Sequence, residues 1–502
     1  MNQSEGRGRR WLWLLLAVTA VFTLALIYRN NNTQQVTASE RPFGSSANLS
    51  AANTSNTSAL CQFGVNAAAN IDLFDTPALR MGWYLDYAAR VNPSRPNGAD
   101  YMPVIRLSQV FIGGERTDDY TYSPSGTALQ NAIAGNPGAA WVIGNEPDRI
   151  DVQDDMEPHV YATAYHELYH LIKAADPEAR ILAGSIVQPT PLRLLYLDMV
   201  LQAYIDQFGQ PMPVDVWSIH NFILPEVRGD WGAEIPPGID ADFGERTGVE
   251  DMDNMDLFVQ RLVNFRQWMK ARGYGQVPLY LTEYGILMPG ETFPTARVNA
   301  FMNATYDYMS NAQDPLLGYA ADNYRLVQKW SWFSTYSEFN GDLFEAEPPY
   351  ALTPIGQNFA DYTAVIPEKV DLYPWRLRST SNPLISNGQP VTLTLHATIA
   401  NSGNLTQPSG PALVRFYDGD PQNGGLQIGT DQFVSVAGCG QTDIATITWP
   451  DVPPGAHTVY VWVDPNDEIA ETNTANNLQS FAVLVADPAI FLPIVARPGP
   501  LP

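Results

Sequence analysis

The chain has 502 residues, 45% of them hydrophobic and 11% aromatic, which exceeds what one ordinary core supports and predicts two or more domains. Its 53 acidic residues outweigh 28 basic ones for a net charge of -25. That balance excludes a nucleic-acid partner, because phosphate recognition needs clustered Lys and Arg. The two cysteines, Cys61 and Cys439, are too few for a disulfide scaffold. They fall in different predicted domains, and we expect two unpaired, buried thiols.

Residues 1–29 begin with Arg7, Arg9 and Arg10 and continue as an uncharged apolar run from 11 to 28. At 1.5 Å per helical residue that run nearly spans a bilayer, so it reads as an export signal. We read it as an uncleaved membrane anchor, or as a secretion signal if it is cut; either way the remainder lies outside the cell. Residues 30–60 are Asn, Ser, Thr and Ala with little to bury, the composition of a flexible tether.

From residue 61 to 366 apolar runs alternate with helical patterns. Strands are expected at 63–66, 82–87, 102–107, 140–145, 180–184, 214–220, 278–283 and 328–333. Helices with apolar residues at three- and four-residue spacing are expected at 160–175, 192–208, 255–272 and 295–311. Eight strands with intervening helices predict an α/β fold, a (β/α)8 TIM barrel, whose functional residues sit at the C-terminal strand ends. From 369 to 486 the pattern changes to period-two alternation broken by Gly, Pro, Asn and Asp, which predicts an all-β, immunoglobulin-like sandwich. The tail, 487–502, is too short and too rich in proline to span a membrane.

Two carboxylates each close an apolar strand: Glu146 ends AAWVIGNE and Glu283 ends VPLYLTE. A barrel would deliver both to one rim. Glycoside hydrolysis needs one protonated carboxyl for the departing oxygen and one carboxylate for the oxocarbenium-like centre. Either glutamate taken alone could instead cap a helix or pair with an arginine. A different motif, HELYH at 166–170, fits the zinc-peptidase string H-E-x-x-H. On its helix, however, His166 lies about 200° from the apolar stripe, so both histidines should face solvent, and no third ligand follows.

GNEP on the fourth strand and LTEYG on the seventh resemble the clan A retaining glycoside hydrolases, with WSIHNF and KWSWFS on the sixth and eighth strands extending the likeness. It is nearest the endo-glucanase-like catalytic core. The resemblance implies that Glu146 is the acid/base and Glu283 the nucleophile, and that Asn145 contacts the sugar 2-hydroxyl. It also implies that Arg106, His220 and Trp332 line the cleft, with no metal or organic cofactor. Arg106 could equally pair with an acid, His220 could be a core imidazole, and Trp330 and Trp332, which point the same way, could be core. Where the family often carries His-x-Tyr on strand six, this chain has Phe222, so orientation of the nucleophile would pass to Tyr284, to another group, or be absent. VDPNDEIAETNTANN and ATIANSGN resemble the CARDB repeat, an immunoglobulin-like module. Its Asp and Asn residues most simply form turns. The expectation is an exported glycosidase acting on a carbohydrate, monomeric, meeting membrane only through its N-terminal segment, with an accessory domain able to contact glycan or cell surface. A non-catalytic glycan-binding surface protein is the alternative.

Overall fold

The computed structural model describes residues 58–487 apart from 151, 338–340, 387 and 409. The expected anchor, nearly all of the tether and the tail lie outside these residues. Among the described residues no helix is long and apolar enough to cross a membrane. Two compact units emerge, one containing 63–311 and 329–366, the other 59–62, 312–328 and the chain from 367.

The first unit is an eight-stranded barrel. β1 (Leu60–Asn66), β2 (Met81–Leu85), β6 (Ala140–Ile143), β7 (Arg180–Ile186), β8 (Val216–His220), β9 (Leu279–Tyr284) and β10 (Lys329–Trp332) supply seven positions. The third is shared by β3 (Asp100–Tyr101), which pairs with β2, and the start of β4 (Val104–Ile112), which pairs with β6. The changeover at Met102 and Pro103, together with β10 lying parallel on β1, completes the ring. All eight expected strands are present. The four expected helices appear as Pro158–Ala175, Pro191–Phe208, Met255–Ala271 and Thr295–Asn311. The first two open on proline, whose fixed φ and missing N–H suit the first helical turn.

Period-two alternation sorts the strand residues. Trp83, Leu85, Met102, Val104, Ala140, Val142, Leu182, Val216 and Tyr280 fill the interior, while Trp141, Trp217 and Trp330 between them are fully buried on the other face. Two excursions depart from the expected pattern. β4 overruns the barrel and returns as β5 (Glu115–Ser123) through Gly113 and Gly114, both at positive φ, where glycine carries no steric penalty. In β9, Leu281 pairs with Ile219 while Glu283 pairs with His220, and on the other side Trp330 pairs with Leu281 while Trp332 pairs with Tyr284. One extra residue at the Thr282–Glu283 step is therefore a β-bulge, which shifts the alternation by one place.

The HELYH segment lies on the helix Pro158–Ala175. His170 is exposed as expected, but His166 is half-buried: its ring stacks on Phe208 at 3.6 Å and its Nδ1 is 2.7 Å from the Tyr204 hydroxyl. The carboxylate of Glu167 accepts a hydrogen bond from Tyr122 at 3.0 Å. The motif packs two helices and a hairpin together, and it has no part in any group of metal-ligating side chains among the described residues.

The second unit is a sandwich of a three-stranded sheet, β11 (Leu372–Ser379), β13 (Val391–Asn401) and β16 (Gln441–Val452), on a five-stranded sheet. The latter runs β12 (Leu384–Ile385), β18 (Leu478–Ala486), β17 (Gly455–Val463), β14 (Ala412–Asp418) and β15 (Leu426–Val434). Alternate residues Leu393, Leu395, Ala397 and Ile399 of β13 meet Val459, Val461 and Val463 of β17 in its core. Cys61 and Cys439 form a disulfide here with Cα atoms 6.1 Å apart, which corrects the expectation of free thiols. The reason is local. Residues 59–62 pair with this unit, the Cys61 N–H donating to the Asn404 carbonyl at 2.9 Å and Thr406 N–H to Ala59 at 3.1 Å.

Candidate active site

At the C-terminal end of β6 the backbone leaves the strand through Gly144, at φ 81°, and Glu146, at φ 47°. The turn is held from below: one Asp154 carboxylate oxygen accepts the N–H groups of Asn145 at 2.7 Å and Leu107 at 2.8 Å, while the other accepts Arg106 Nε at 2.6 Å. The N–H of Glu146 donates to the Ser185 carbonyl at 3.0 Å. These bonds aim the Glu146 carboxylate across the barrel mouth.

There it meets His220 and Glu283. Nδ1 of His220 is 3.0 Å from Glu146 Oε1 and its Nε2 is 3.3 Å from Glu283 Oε1. The other oxygen of Glu146 faces Arg149 Nη1 at 3.3 Å, and that guanidinium also donates to the Gly232 carbonyl at 3.1 Å. Glu146, Glu283 and His220 are only 2%, 5% and 1% exposed. A reachable oxygen of each glutamate and a ring nitrogen lie within 4.8 Å of one another. By distance alone the trio could meet a metal ion. However, the imidazole turns a different nitrogen to each carboxylate instead of offering one to a shared point, and Arg149 already supplies positive charge.

The surroundings separate the two carboxyls. Burial acts to raise Glu146, but Arg149 and His220 outweigh it and hold the group at about 2. Burial pushes Glu283 up to about 7, with the negative Glu146 adding to the rise and His220, Tyr87 and Arg106 opposing it. For His220 burial favours the neutral ring, yet Glu283 and Glu146 leave its pKa raised. At rest, therefore, Glu146 is the carboxylate of the pair and Glu283 holds the proton more tightly.

Of the residues singled out in the sequence, Asn145, Glu146, His220, Glu283 and Arg106 come together at this mouth. Asn145 Nδ2 and Arg106 Nη2 share the Gln153 side-chain oxygen, at 3.2 and 2.9 Å. Arg106 also has the acidic partner that a structural role would require, Asp154. Tyr284 and Trp332 do not join them. The bulge that turns Glu283 inward turns Tyr284 outward, where its hydroxyl is 3.2 Å from Thr305 Oγ1 and its ring packs on Phe258. Trp332 is fully buried beside Tyr284, its indole N–H donating to the Gly341 carbonyl at 2.8 Å, so no bare ring face is offered to a sugar. Phe222 lies edge-on to His220, with centroids 6.2 Å apart.

Two residues of the site were not anticipated. Tyr87, two residues beyond the end of β2, packs against the interior cluster that holds Trp83 and Leu85, and its buried hydroxyl acts on Glu283. The odd-numbered run Trp83, Leu85, Tyr87 was the available signal. Arg149, three residues after Glu146, carried none, because a polar turn residue can face any direction. Beneath them Arg193, fully buried, reaches Asp148 at 2.7 Å, the carboxylate of Glu226 and the Ala233 carbonyl at 2.6 Å, fixing the segment after β8 to the segment after β6.

Among curated proteins none matches this chain in sequence. Solved structures similar to it include a glucosidase from Croceicoccus marinus, at 12% identity over 78% of this chain and 97% of that one, with a TM-score of 0.40. Another is a GH128 (subgroup VII) oligosaccharide-binding protein from Trichoderma gamsii, at 14% identity over 62% and 97%, with a TM-score of 0.36. The C-terminal unit is similar to the CARDB domain of a Pyrococcus furiosus protein in complex with di-metal ions, at 18% identity over 24% and 89%, with a TM-score of 0.19. These are distant likenesses, and the chemistry of the site rests on its own geometry. In the C-terminal unit residues 369–481 match the CARDB family model, and this part of the chain is a CARDB domain.

Proposed function

We propose that the barrel hydrolyses O-glycosidic bonds within a polysaccharide or oligosaccharide by a retaining double displacement. The observation that carries this reading is the approach of Glu146 and Glu283 to within 4.8 Å at one end of a closed barrel. Retention places the two carboxyls about 5 to 5.5 Å apart, whereas inversion leaves about 6.5 to 9.5 Å for a water. Glu146 protonates the departing oxygen as Glu283 attacks the anomeric carbon; Glu146, now ionised, then takes a proton from the water that releases the sugar. Asn145, Arg106 and His220 border the reacting carbon. The site of action is the outer face of the membrane or the medium. The Cys61–Cys439 disulfide supports this placement, since such bonds persist in oxidising compartments.

The test is a panel of neutral and acidic glycans offered to the full-length protein, its Glu146→Gln variant and its Glu283→Gln variant. Product from the wild type alone, with the anomeric configuration kept, is the expected result. One observation favours a second reading, a non-catalytic glycan-binding protein: Arg149 occupies Glu146 and both glutamates are almost entirely covered. Binding without cleavage, unchanged in both variants, would establish it instead.

A further inference from the structure

The proposed reaction draws the leaving-group proton from Glu146, the role its family resemblance implies, yet the resting site keeps that proton on Glu283. Solvent cannot readily correct the mismatch, because the two carboxyls are 2% and 5% exposed. The group between them can. The ring of His220 is edge-on to Phe222; its Nδ1 hydrogen-bonds Glu146 Oε1 at 3.0 Å, and its Nε2 lies 3.3 Å from Glu283 Oε1, a buried oxygen without a hydrogen-bond partner among the described residues, so a turn of the ring brings Nε2 into line with it. Arg149 engages Oε2 of Glu146, so Oε1 is the oxygen left to accept a proton.

We infer that His220 carries a proton from Glu283 to Glu146 through its two ring nitrogens and so sets the charge state in which the pair can react. At the start the imidazole is neutral, with hydrogen on Nδ1 donated to the Glu146 carboxylate and the Nε2 lone pair facing the Glu283 carboxyl. The Glu283 O–H bond breaks as Nε2–H forms, and Nδ1–H breaks as a Glu146 O–H bond forms. Glu283 becomes the anionic nucleophile, Glu146 the neutral donor, and His220 the other neutral tautomer; charge and protons balance with no further reactant. The intermediate imidazolium between two carboxylates is accessible because both carboxylates favour the charged ring against its burial. Other ionisable groups facing this trio are Asp148 and Arg149 after β6, Arg106 on β4 and Tyr87 after β2. None of them lies against both glutamates in the manner of His220.

This inference rests on the hydrolytic reading, so its test has one arm that needs no substrate. Full-length protein labelled with nitrogen-15 in its six histidines is followed by NMR between pH 5 and 9, and the His220 signals are assigned by difference from His220→Gln. Ring shifts averaged between the two nitrogens in the wild type, and fixed in one tautomer in Glu283→Gln, are expected. A single unchanging tautomer in both overturns the proposal. The second arm compares wild type and His220→Gln on 2,4-dinitrophenyl and 4-methoxyphenyl β-glucosides, whose leaving groups respectively need no proton and need one. The variant should lose about 100-fold on the methoxyphenyl glucoside, the scale of a lost general acid. On the dinitrophenyl glucoside it should recover as the pH rises through about 7 and Glu283 ionises without help. Equal losses on both at every pH would mean that His220 merely supports the fold. If the wild type cleaves no glycoside while the shifts average as expected, the hydrolytic reading fails and the proton bridge stands.

Discussion

Replacing each glutamate by glutamine should change stability in opposite directions, although both are buried carboxyls at the same mouth. Unfolded, Glu283 titrates near its ordinary 4.5; folded, near about 7. Between those values the folded state retains a proton that the unfolded state has released, so stability falls as pH rises, and the full penalty applies above 7. At about 1.4 kcal/mol per pH unit the interval corresponds to about 3 kcal/mol. Glutamine mimics the protonated form, so Glu283→Gln should gain stability of that order at pH 8 and little at pH 4. Glu146 is displaced the other way, from 4.5 to about 2. Its contribution is present above 4.5 and is lost as pH falls toward 2. Glu146→Gln should therefore cost about 3 kcal/mol at pH 8, and it also leaves Arg149 and His220 without their carboxylate. Thermal denaturation of the three proteins at pH 4, 6 and 8 reads the difference, with melting shifts of roughly 5 to 10 °C in opposite senses at pH 8. Shifts of the same sign at pH 8, or a Glu283→Gln effect independent of pH, would refute the charge assignment.

Other outcomes follow from the same geometry. Tyr87→Phe should raise the pH at which Glu283 ionises and shift the acidic limb of the activity profile upward, whereas Tyr284→Phe should leave that profile unchanged and cost about 1 kcal/mol for the lost bond to Thr305. Arg193→Met strands Asp148 and Glu226 in the interior and should destabilise by about 3 to 5 kcal/mol, measured by urea titration. Cys61→Ser should lower stability by about 2 to 5 kcal/mol, and calorimetry with a reductant should reproduce the shift in the wild type alone.

The barrel was legible in the sequence because each strand is a short apolar run whose period differs from that of the helix beside it. Glu146 and Glu283 were legible because each ends such a run. The hairpin Val104–Ser123 was not, since its polar returning strand shows no apolar alternation. The disulfide was missed because residues 59–62 lead directly into a barrel strand and nothing in their composition reveals that they pair with the sandwich. The family resemblance implies that Trp332 lines the cleft and offers Tyr284 as a group to orient the nucleophile. An added residue in β9 turns Tyr284 away from the mouth, and regular alternation from the outward Trp330 does the same for Trp332.

The bulge in β9 has a further implication for anyone altering this protein. Which of two neighbouring side chains, Glu283 or Tyr284, enters the mouth depends on the extra residue being taken up as a bulge at the Thr282–Glu283 step. Flattening the bulge with every residue kept would exchange the two, placing a phenol in the reaction chamber and a carboxyl against Phe258, whereas deleting Thr282 would restore regular alternation and leave Glu283 facing inward.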